Sequence, residues 1–155
     1  STNVAEKIYE KLAKNKVLSE QVLSKLNIEE LKNFGLSKQK SVYIKNLAIL
    51  SLNKHLDINS LDRLSSEEVT KVLLPIKGIG QWTINNFKIF ALQDVNAWPS
   101  ADLALQEAVK ILLNLIKRPN QVEMESLAQN WKPYRSAAAL FLWHFYNKSK
   151  IKSSK

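Results

Sequence analysis

The carboxylate best suited to chemistry in this sequence is Asp102, which follows a break in helical spacing at residues 98–101. Directly after it comes the run LALQEAV, so Asp102 is predicted to cap a helix by accepting backbone N–H bonds. An ionised carboxylate at the mouth of a cleft also stabilises a developing cation or orients water. The local sequence favours the capping role, and the two roles are compatible.

Two of the three glycines lie together, as Gly78 and Gly80 in the segment LPIKGIGQWT. With one helix ending near Leu74 and another starting at Gln81, this spacing predicts a helix–hairpin–helix. Glycine allows a positive φ and leaves room at a turn because it has no side chain. Backbone N–H groups at the turn and at the start of the second helix can then bind a phosphate oxygen. The alternative is a plain turn between helices, which an isolated Gly-x-Gly indicates more often.

The neighbours of this turn offer further contacts to a ligand. Thr83 could add a hydroxyl and Lys77 a positive charge beside a phosphate. Trp82 follows the turn so closely that its ring could form the wall of a pocket and stack on a base. Most other aromatic residues of the second half are expected in the core. Arg135 is expected to bind carbonyl or carboxylate groups of the protein rather than DNA.

The composition narrows the class of protein. The 155 residues include 23 basic and 14 acidic ones, and the net charge of +9 favours a polyanionic partner such as nucleic acid, although a Lys-rich surface equally serves solubility. The absence of cysteine excludes disulfides, Cys-ligated zinc, iron–sulfur clusters and thiol catalysis. The two histidines, His55 and His144, give weak support to metal or Ser-His-Asp chemistry.

Neither a membrane nor secretion is indicated. No apolar stretch approaches the roughly 18 residues of a membrane span, and the first residues lack the apolar core of a signal peptide. We therefore expect an intracellular protein, in the cytoplasm or nucleoid of a prokaryote or the nucleus of a eukaryote.

Helical spacing of apolar residues dominates the chain, and the scarcity of glycine and proline argues against an all-β fold. Helices are predicted around 4–12, then over 19–26, 27–35, from 37 onward, and over 65–74, 81–92, 102–116, 122–131 and 134–148. The predicted start and stop signals are Asn3 with Glu6, Ser19, Asn27, Gly35, Ser37, Ser65 with Glu68, and Pro119. The prediction is an all-α protein with one domain over 1–148, a helix–hairpin–helix at about 66–92, and a basic frayed tail over 149–155.

Four segments in this order resemble the helix–hairpin–helix DNA glycosylases, and most closely 3-methyladenine DNA glycosylase II: FGLSKQKSVYIKNLA, LPIKGIGQWT, WPSADLAL and WKPYRSAAALFLW. The resemblance implies a glycosylase-like helical domain. It assigns the catalytic aspartate to Asp102 and the tryptophans of the base pocket to Trp82 and Trp143. The hairpin glycines and threonine that hold the DNA backbone match Gly78, Gly80 and Thr83.

The resemblance implies no cofactor, although some members hold Na⁺ or K⁺ on hairpin carbonyls, here near Ile76 and Ile79. An aromatic residue that lines the pocket in one branch member is replaced here by Asn86 or Leu103, which leaves the preferred damaged base open. Ser1 resembles the end of the family's Gln-Gln-Leu-Ser segment. The most N-terminal part of the glycosylase domain is therefore expected to be missing from the chain.

The resulting hypothesis is a monomeric, monofunctional DNA glycosylase. It would bind double-stranded DNA, flip out a damaged base and hydrolyse the N-glycosidic bond of alkylated purines such as 3-methyladenine and 7-methylguanine. Trp82 stands where bifunctional relatives have a lysine directly after the hairpin, so no lyase activity is expected. One alternative is a non-catalytic or truncated helix–hairpin–helix DNA-binding module. Another is a helical protein-interaction domain whose basic surface serves solvation.

Overall fold

The computed structural model describes residues 2–153 and contains nine α-helices within them. They are α1 (Thr2–Lys14), α2 (Glu20–Lys25), α3 (Ile28–Asn33), α4 (Lys38–Leu52), α5 (Ser66–Leu73), α6 (Gln81–Phe90), α7 (Leu103–Leu112), α8 (Gln121–Leu127) and α9 (Arg135–Ser153). Short 3-10 helices occupy Ile58–Arg63 and Ala128–Trp131. The described residues contain no β-strand, so the predicted all-α class is confirmed. None of these helices is both long and apolar enough to cross a membrane.

Short polar side chains explain why several helices begin where the sequence predicts. Ser19, Asn27 and Ser37 each accept a hydrogen bond from a backbone N–H of the first helical turn. At the start of α5, Glu68 N donates to Ser65 Oγ and Ser65 N donates to Glu68 Oε2, at 3.3 and 2.8 Å. These bonds with Ser65 lower the pKa of Glu68. The predicted capping box of Ser65 and Glu68 is therefore confirmed.

Three predicted boundaries are wrong. Helix α1 already includes Thr2, so Asn3 lies inside the helix and is not its N-cap. Helix α7 ends at Leu112, several residues before Pro119, because the chain leaves the helix at Asn114 with a φ of 52°. Helix α9 continues to Ser153 instead of ending near residue 148, and the last two residues of the predicted tail lie outside the described residues.

The chain divides into two compact units, although its sequence shows no linker and predicts one domain. Unit 1 contains the chain up to Arg63 and the segment Pro75–Gly78, and unit 2 contains Leu64–Leu74 and everything from Ile79 onward. The core of unit 1 includes Leu12, Val17, Leu23, Leu31 and Ala48. The core of unit 2 includes Ile89, Ala97, Trp98, Leu105, Ala108, Val109, Met124, Ala128, Ala139 and Leu142. Within the turn between α5 and α6, Pro75–Gly78 thus belong to unit 1, while Ile79, Gly80 and both helices belong to unit 2.

The start of α9 holds the loop that leads into α7. Arg135 Nε donates to the carbonyl and the side-chain oxygen of Asn96, at 3.0 and 2.8 Å, and the guanidinium lies 3.7 Å from Glu125. Ser136 Oγ donates to the carbonyl of Asp94 at 2.5 Å. Arg135 therefore has the structural role that the sequence predicts, and this loop is fixed where it reaches the first turn of α7.

Candidate active site

Asp102 lies at the N-terminus of α7, where it caps the helix. Its Oδ1 accepts the backbone N–H of Leu105 at 2.9 Å, and only 8% of the residue's surface is exposed. The predicted cap is therefore confirmed. The capping bond fixes the side-chain rotamer, so the carboxylate has a defined position and orientation in unit 2.

Two tryptophans from different helices also donate to this carboxylate. Trp82 Nε1, from the first turn of α6, donates to Asp102 Oδ2 at 2.7 Å, and Trp143 Nε1, from α9, donates to Oδ1 at 3.2 Å. Three N–H groups thus surround one carboxylate, and hydrogen bonds to a charged acceptor are shorter and stronger than neutral ones. We call Asp102 with Trp82 and Trp143 the Asp102 cluster. The three residues that the resemblance assigns to chemistry and base binding are brought together within unit 2.

Aromatic surface next to the cluster is open to solvent. Trp82 is 49% exposed, although its N–H is engaged by the carboxylate. Phe90 is 63% exposed and stacks on Trp143, with ring centroids 5.6 Å apart and an interplanar angle of 24°. Because both indole N–H groups are bonded to Asp102, the ring faces are what the tryptophans can offer to a ligand.

Phe90 is the residue of this site that the sequence analysis missed. It lies eight positions after Trp82 on α6, and Asn86 lies midway, so the spacing of four places all three on one helix face. Asn86 Nδ2 donates to the carbonyl of Trp82 at 2.8 Å, and Leu103 is exposed beside Asp102 in the sequence. The helical spacing from Trp82 was the signal that could have identified Phe90.

The two glycines of the turn have different conformations. Gly78 has a φ of 97°, and a Cβ there would overlap the ring of Tyr43 in unit 1. Gly80 is the N-cap of α6 with φ −103° and ψ 172°, and a Cβ there would meet nothing within 4 Å. Of these two residues, only Gly78 has a backbone conformation and surroundings that require glycine. A side chain at Gly80 would not strain the turn, because its φ is one that any residue adopts.

The remaining hairpin residues are open to a ligand. Lys77 and Thr83 are exposed, and neither side chain has a hydrogen-bond or ion-pair partner within residues 2–153. Ile76 and Ile79, whose carbonyls the resemblance suggests for a monovalent cation, lie between α5 and α6, Ile76 in unit 1 and Ile79 in unit 2. No group of three or more His, Cys, Asp or Glu side chains in the described part of the chain is arranged to hold a metal ion.

Lys88, on the buried side of α6, is the only amine of that helix. It is 5% exposed, and its Nζ donates to Thr70 Oγ1 of α5 at 2.7 Å. Burial lowers the pKa of Lys88, and the nearby carboxylates of Asp94 and Glu67 partly oppose this shift. The side chain links the two helices that flank the turn.

The amino-acid sequence is similar to curated proteins named for glycosylase activity. The alkylbase DNA glycosidase-like protein mag2 of Schizosaccharomyces pombe is 36% identical over 118 residues, which are 76% of this chain and 55% of mag2. The DNA-3-methyladenine glycosylase of Bacillus subtilis is 30% identical over 121 residues, which are 78% of this chain and 40% of that protein. The chain spans about half the length of these curated relatives. No protein-family model matches it.

The fold is similar to solved glycosylase structures. The 3-methyladenine DNA glycosylase Mag1 of Schizosaccharomyces pombe, solved in complex with abasic DNA, aligns with a TM-score of 0.82 and 26% identity. The alignment covers 90% of this chain and 70% of Mag1. The resemblance to the helix–hairpin–helix DNA glycosylases that four sequence segments predict is thus confirmed in both sequence and fold.

Proposed function

We propose that this chain carries the catalytic part of a base-excision-repair DNA glycosylase that acts on alkylated purines. The observation that carries the proposal is the Asp102 cluster, in which a buried carboxylate accepts hydrogen bonds from both tryptophans. The names of the related proteins support the same activity. The proposed process is therefore DNA repair, and the proposed substrate is double-stranded DNA with a flipped base.

The proposed role of Asp102 is electrostatic. The N-glycosidic bond breaks through a sugar with oxocarbenium character, and a fixed anion stabilises that positive charge more than it stabilises the ground state. Since the N–H groups of Trp82, Trp143 and Leu105 already orient the carboxylate, little reorganisation is needed when the charge develops. Because these donors engage both oxygens, the arrangement favours charge stabilisation or orientation of water over covalent attack.

The proposed substrates are bases that leave easily. No acidic side chain is hydrogen-bonded into the Asp102 cluster among the described residues, so the cluster itself supplies no side-chain acid for a departing base. 3-Methyladenine and 7-methylguanine carry a positive charge before the bond breaks. Such cations stack favourably on indole faces, by roughly 0.5–2 kcal/mol, and the half-exposed ring of Trp82 offers such a face.

The enzyme is proposed to be monofunctional. Lyase chemistry needs a free amine that attacks the sugar carbon and forms a Schiff base. The residue directly after Gln81 is Trp82, and the amine of Lys88 is buried and hydrogen-bonded to Thr70. Borohydride is therefore expected to trap no covalent complex with DNA. A stable cross-link that maps to any lysine of the chain would contradict this part of the proposal.

The decisive experiment compares single-turnover release of 3-methyladenine, 7-methylguanine and uracil from matched duplexes. The methylated bases are expected to be released faster than uracil. Asp102→Asn is expected to lower their release by about 10²–10³-fold, as loss of one electrostatic group typically does, while DNA binding persists. Faster uracil release, or near wild-type excision by Asp102→Asn, would contradict the proposal. Duplex binding without any excision would identify a non-catalytic DNA-binding module instead.

A further inference from the structure

Unit 1 contains a surface cleft that is lined in part by a tyrosine. The cleft has a volume of about 350 Å³ and is lined by Lys38, Gln39, Val42 and Tyr43 of α4 and by Lys77 of the turn before α6. We call it the Tyr43 cleft. The ring of Tyr43 also lies against Gly78, at the position that a Cβ there would occupy. One aromatic ring thus connects the cleft to the backbone of the turn.

The cleft presents hydrogen-bond donors. Gln39 Nε2 donates to Tyr43 Oη at 2.6 Å, so the tyrosine acts as acceptor in that bond and its own O–H remains free to donate to a ligand. Lys38 and Lys77 add ammonium groups, which can only donate. No carboxylate from the described part of the chain lines the cleft. These donors fit an anion with several oxygen acceptors.

The two lysines of the cleft carry uncompensated charge. Neither forms an ion pair within residues 2–153, whereas several other surface cations do. The paired ones are Lys32 with Glu29, Lys110 with Glu107, Lys117 with Glu123 and Arg135 with Glu125. A second like charge in one cleft is unfavourable unless an anion is bound there, so the arrangement raises the local affinity for anions.

We infer that the Tyr43 cleft binds a phosphodiester group of the DNA backbone, held by Lys38, Lys77 and the Tyr43 hydroxyl. This inference rests on the proposed function, which supplies DNA as the polyanion. The cleft shares Lys77 and the Gly78 contact with the turn that is proposed to hold the backbone. A contact there adds a phosphate to the footprint and positions the strand without reading its sequence.

The test measures affinity for an undamaged duplex over a series of salt concentrations. Removing one phosphate contact lowers the slope of log K against log salt by about 0.9 and weakens binding to all sequences alike. Lys38→Gln is expected to show both effects. Lys40→Gln is the matched control, because it removes the same charge from the same helix two residues away and outside the cleft lining. Equal slopes and affinities for the two variants would overturn the inference.

Tyr43→Phe tests the hydroxyl separately. It keeps the ring against Gly78 and removes the donor, so weaker duplex binding is expected with an unchanged salt slope and unchanged thermal unfolding. Wild-type affinity in this variant would remove Tyr43 from the site. If titration with inorganic phosphate shifts the NMR signals of Tyr43 while Lys38→Gln binds duplex normally, the ligand is a free phosphate and the DNA assignment is wrong. A wild-type chain that binds no duplex at all contradicts the proposed function itself.

Discussion

The Asp102 cluster in unit 2 and the Tyr43 cleft in unit 1 differ in how their charged groups are paired. In the cluster, both oxygens of one buried carboxylate are engaged by N–H groups of the protein. In the cleft, two exposed ammonium groups have no carboxylate partner among the described residues. A charge that must stabilise a transition state is useful when it is oriented beforehand, whereas a charge that must attract a ligand is useful when it is left unpaired. The oriented carboxylate of the Asp102 cluster therefore fits the proposed chemistry, and the unpaired ammonium groups of the Tyr43 cleft fit the proposed DNA binding.

Trp82→Phe tests whether hydrogen bonding to the Asp102 carboxylate contributes to the proposed chemistry. The variant keeps an aromatic ring but removes the donor to Asp102 Oδ2. A hydrogen bond to a charged group contributes about 1.5–3 kcal/mol, so the single-turnover rate of 3-methyladenine release is expected to fall by about 10- to 100-fold. Trp131→Phe is the matched control, because Trp131 makes no bond to Asp102. A wild-type rate in Trp82→Phe would show that the ring face alone matters.

The two glycines of the turn are expected to differ in how much their replacement by alanine lowers the free energy of unfolding. Gly78→Ala places a Cβ into the ring of Tyr43 at a positive φ, so the free energy of unfolding is expected to fall by about 1–3 kcal/mol. Gly80→Ala has open space and an ordinary φ, so it loses only the N-cap preference for glycine over alanine, and its unfolding free energy is expected to fall by less than about 1 kcal/mol. Urea unfolding of both variants measures the difference. Equal destabilisation would contradict the distinct roles of the two positions.

Gly80 also provides a test of DNA binding by the turn. Gly80→Val is expected to fold but to bind damaged and undamaged duplexes more weakly, because its side chain obstructs the approach of a phosphate to the backbone. Fluorescence anisotropy with both duplexes checks this, with thermal unfolding as the control for folding. Unchanged affinity in a folded variant would point to a DNA-binding surface that does not involve Gly80.

Lys88 is expected to give a small pH dependence of stability, because its buried amine has a neutral partner, the Thr70 hydroxyl. Its folded-state pKa is lowered by burial, so the unfolded state binds the proton more tightly and wild-type stability rises as the pH increases toward the ordinary lysine value of 10.5. Lys88→Met lacks this dependence. The stability of the wild type relative to the variant is therefore expected to increase between about pH 7 and pH 10. Urea unfolding at both pH values measures it, and exposed Lys71→Met serves as control.

Features that depend on a few adjacent residues were predictable from the sequence. The caps at Ser19, Asn27, Ser65 and Asp102 form within three residues of the chain, so local chemistry determines them. The end of α7 was predicted less well, because Pro119 offered the more conspicuous stop signal, whereas the chain turns earlier at Asn114, a residue type that tolerates a positive φ at a helix end.

Features that depend on distant residues were not predictable in the same way. The resemblance assigned Asp102, Trp82 and Trp143 to one site, but the hydrogen bonds that join them span 20 and 41 residues. Phe90 lies at helical spacing from Trp82, but the ring that it stacks on, Trp143, lies on another helix, so the spacing alone did not single it out. The burial of Lys88 was also missed, although its neighbour Ile89 belongs to the buried face of α6.

The capping role of Asp102 has an evolutionary consequence. Asparagine caps helices about as well as aspartate, so Asp102→Asn is expected to keep α7 intact while removing the anion. The codons for these two residues differ by one nucleotide. A single mutation thus provides a path from the proposed enzyme to a well-folded protein that occupies damaged DNA without excising the base, and selection for folding alone would not remove such a descendant.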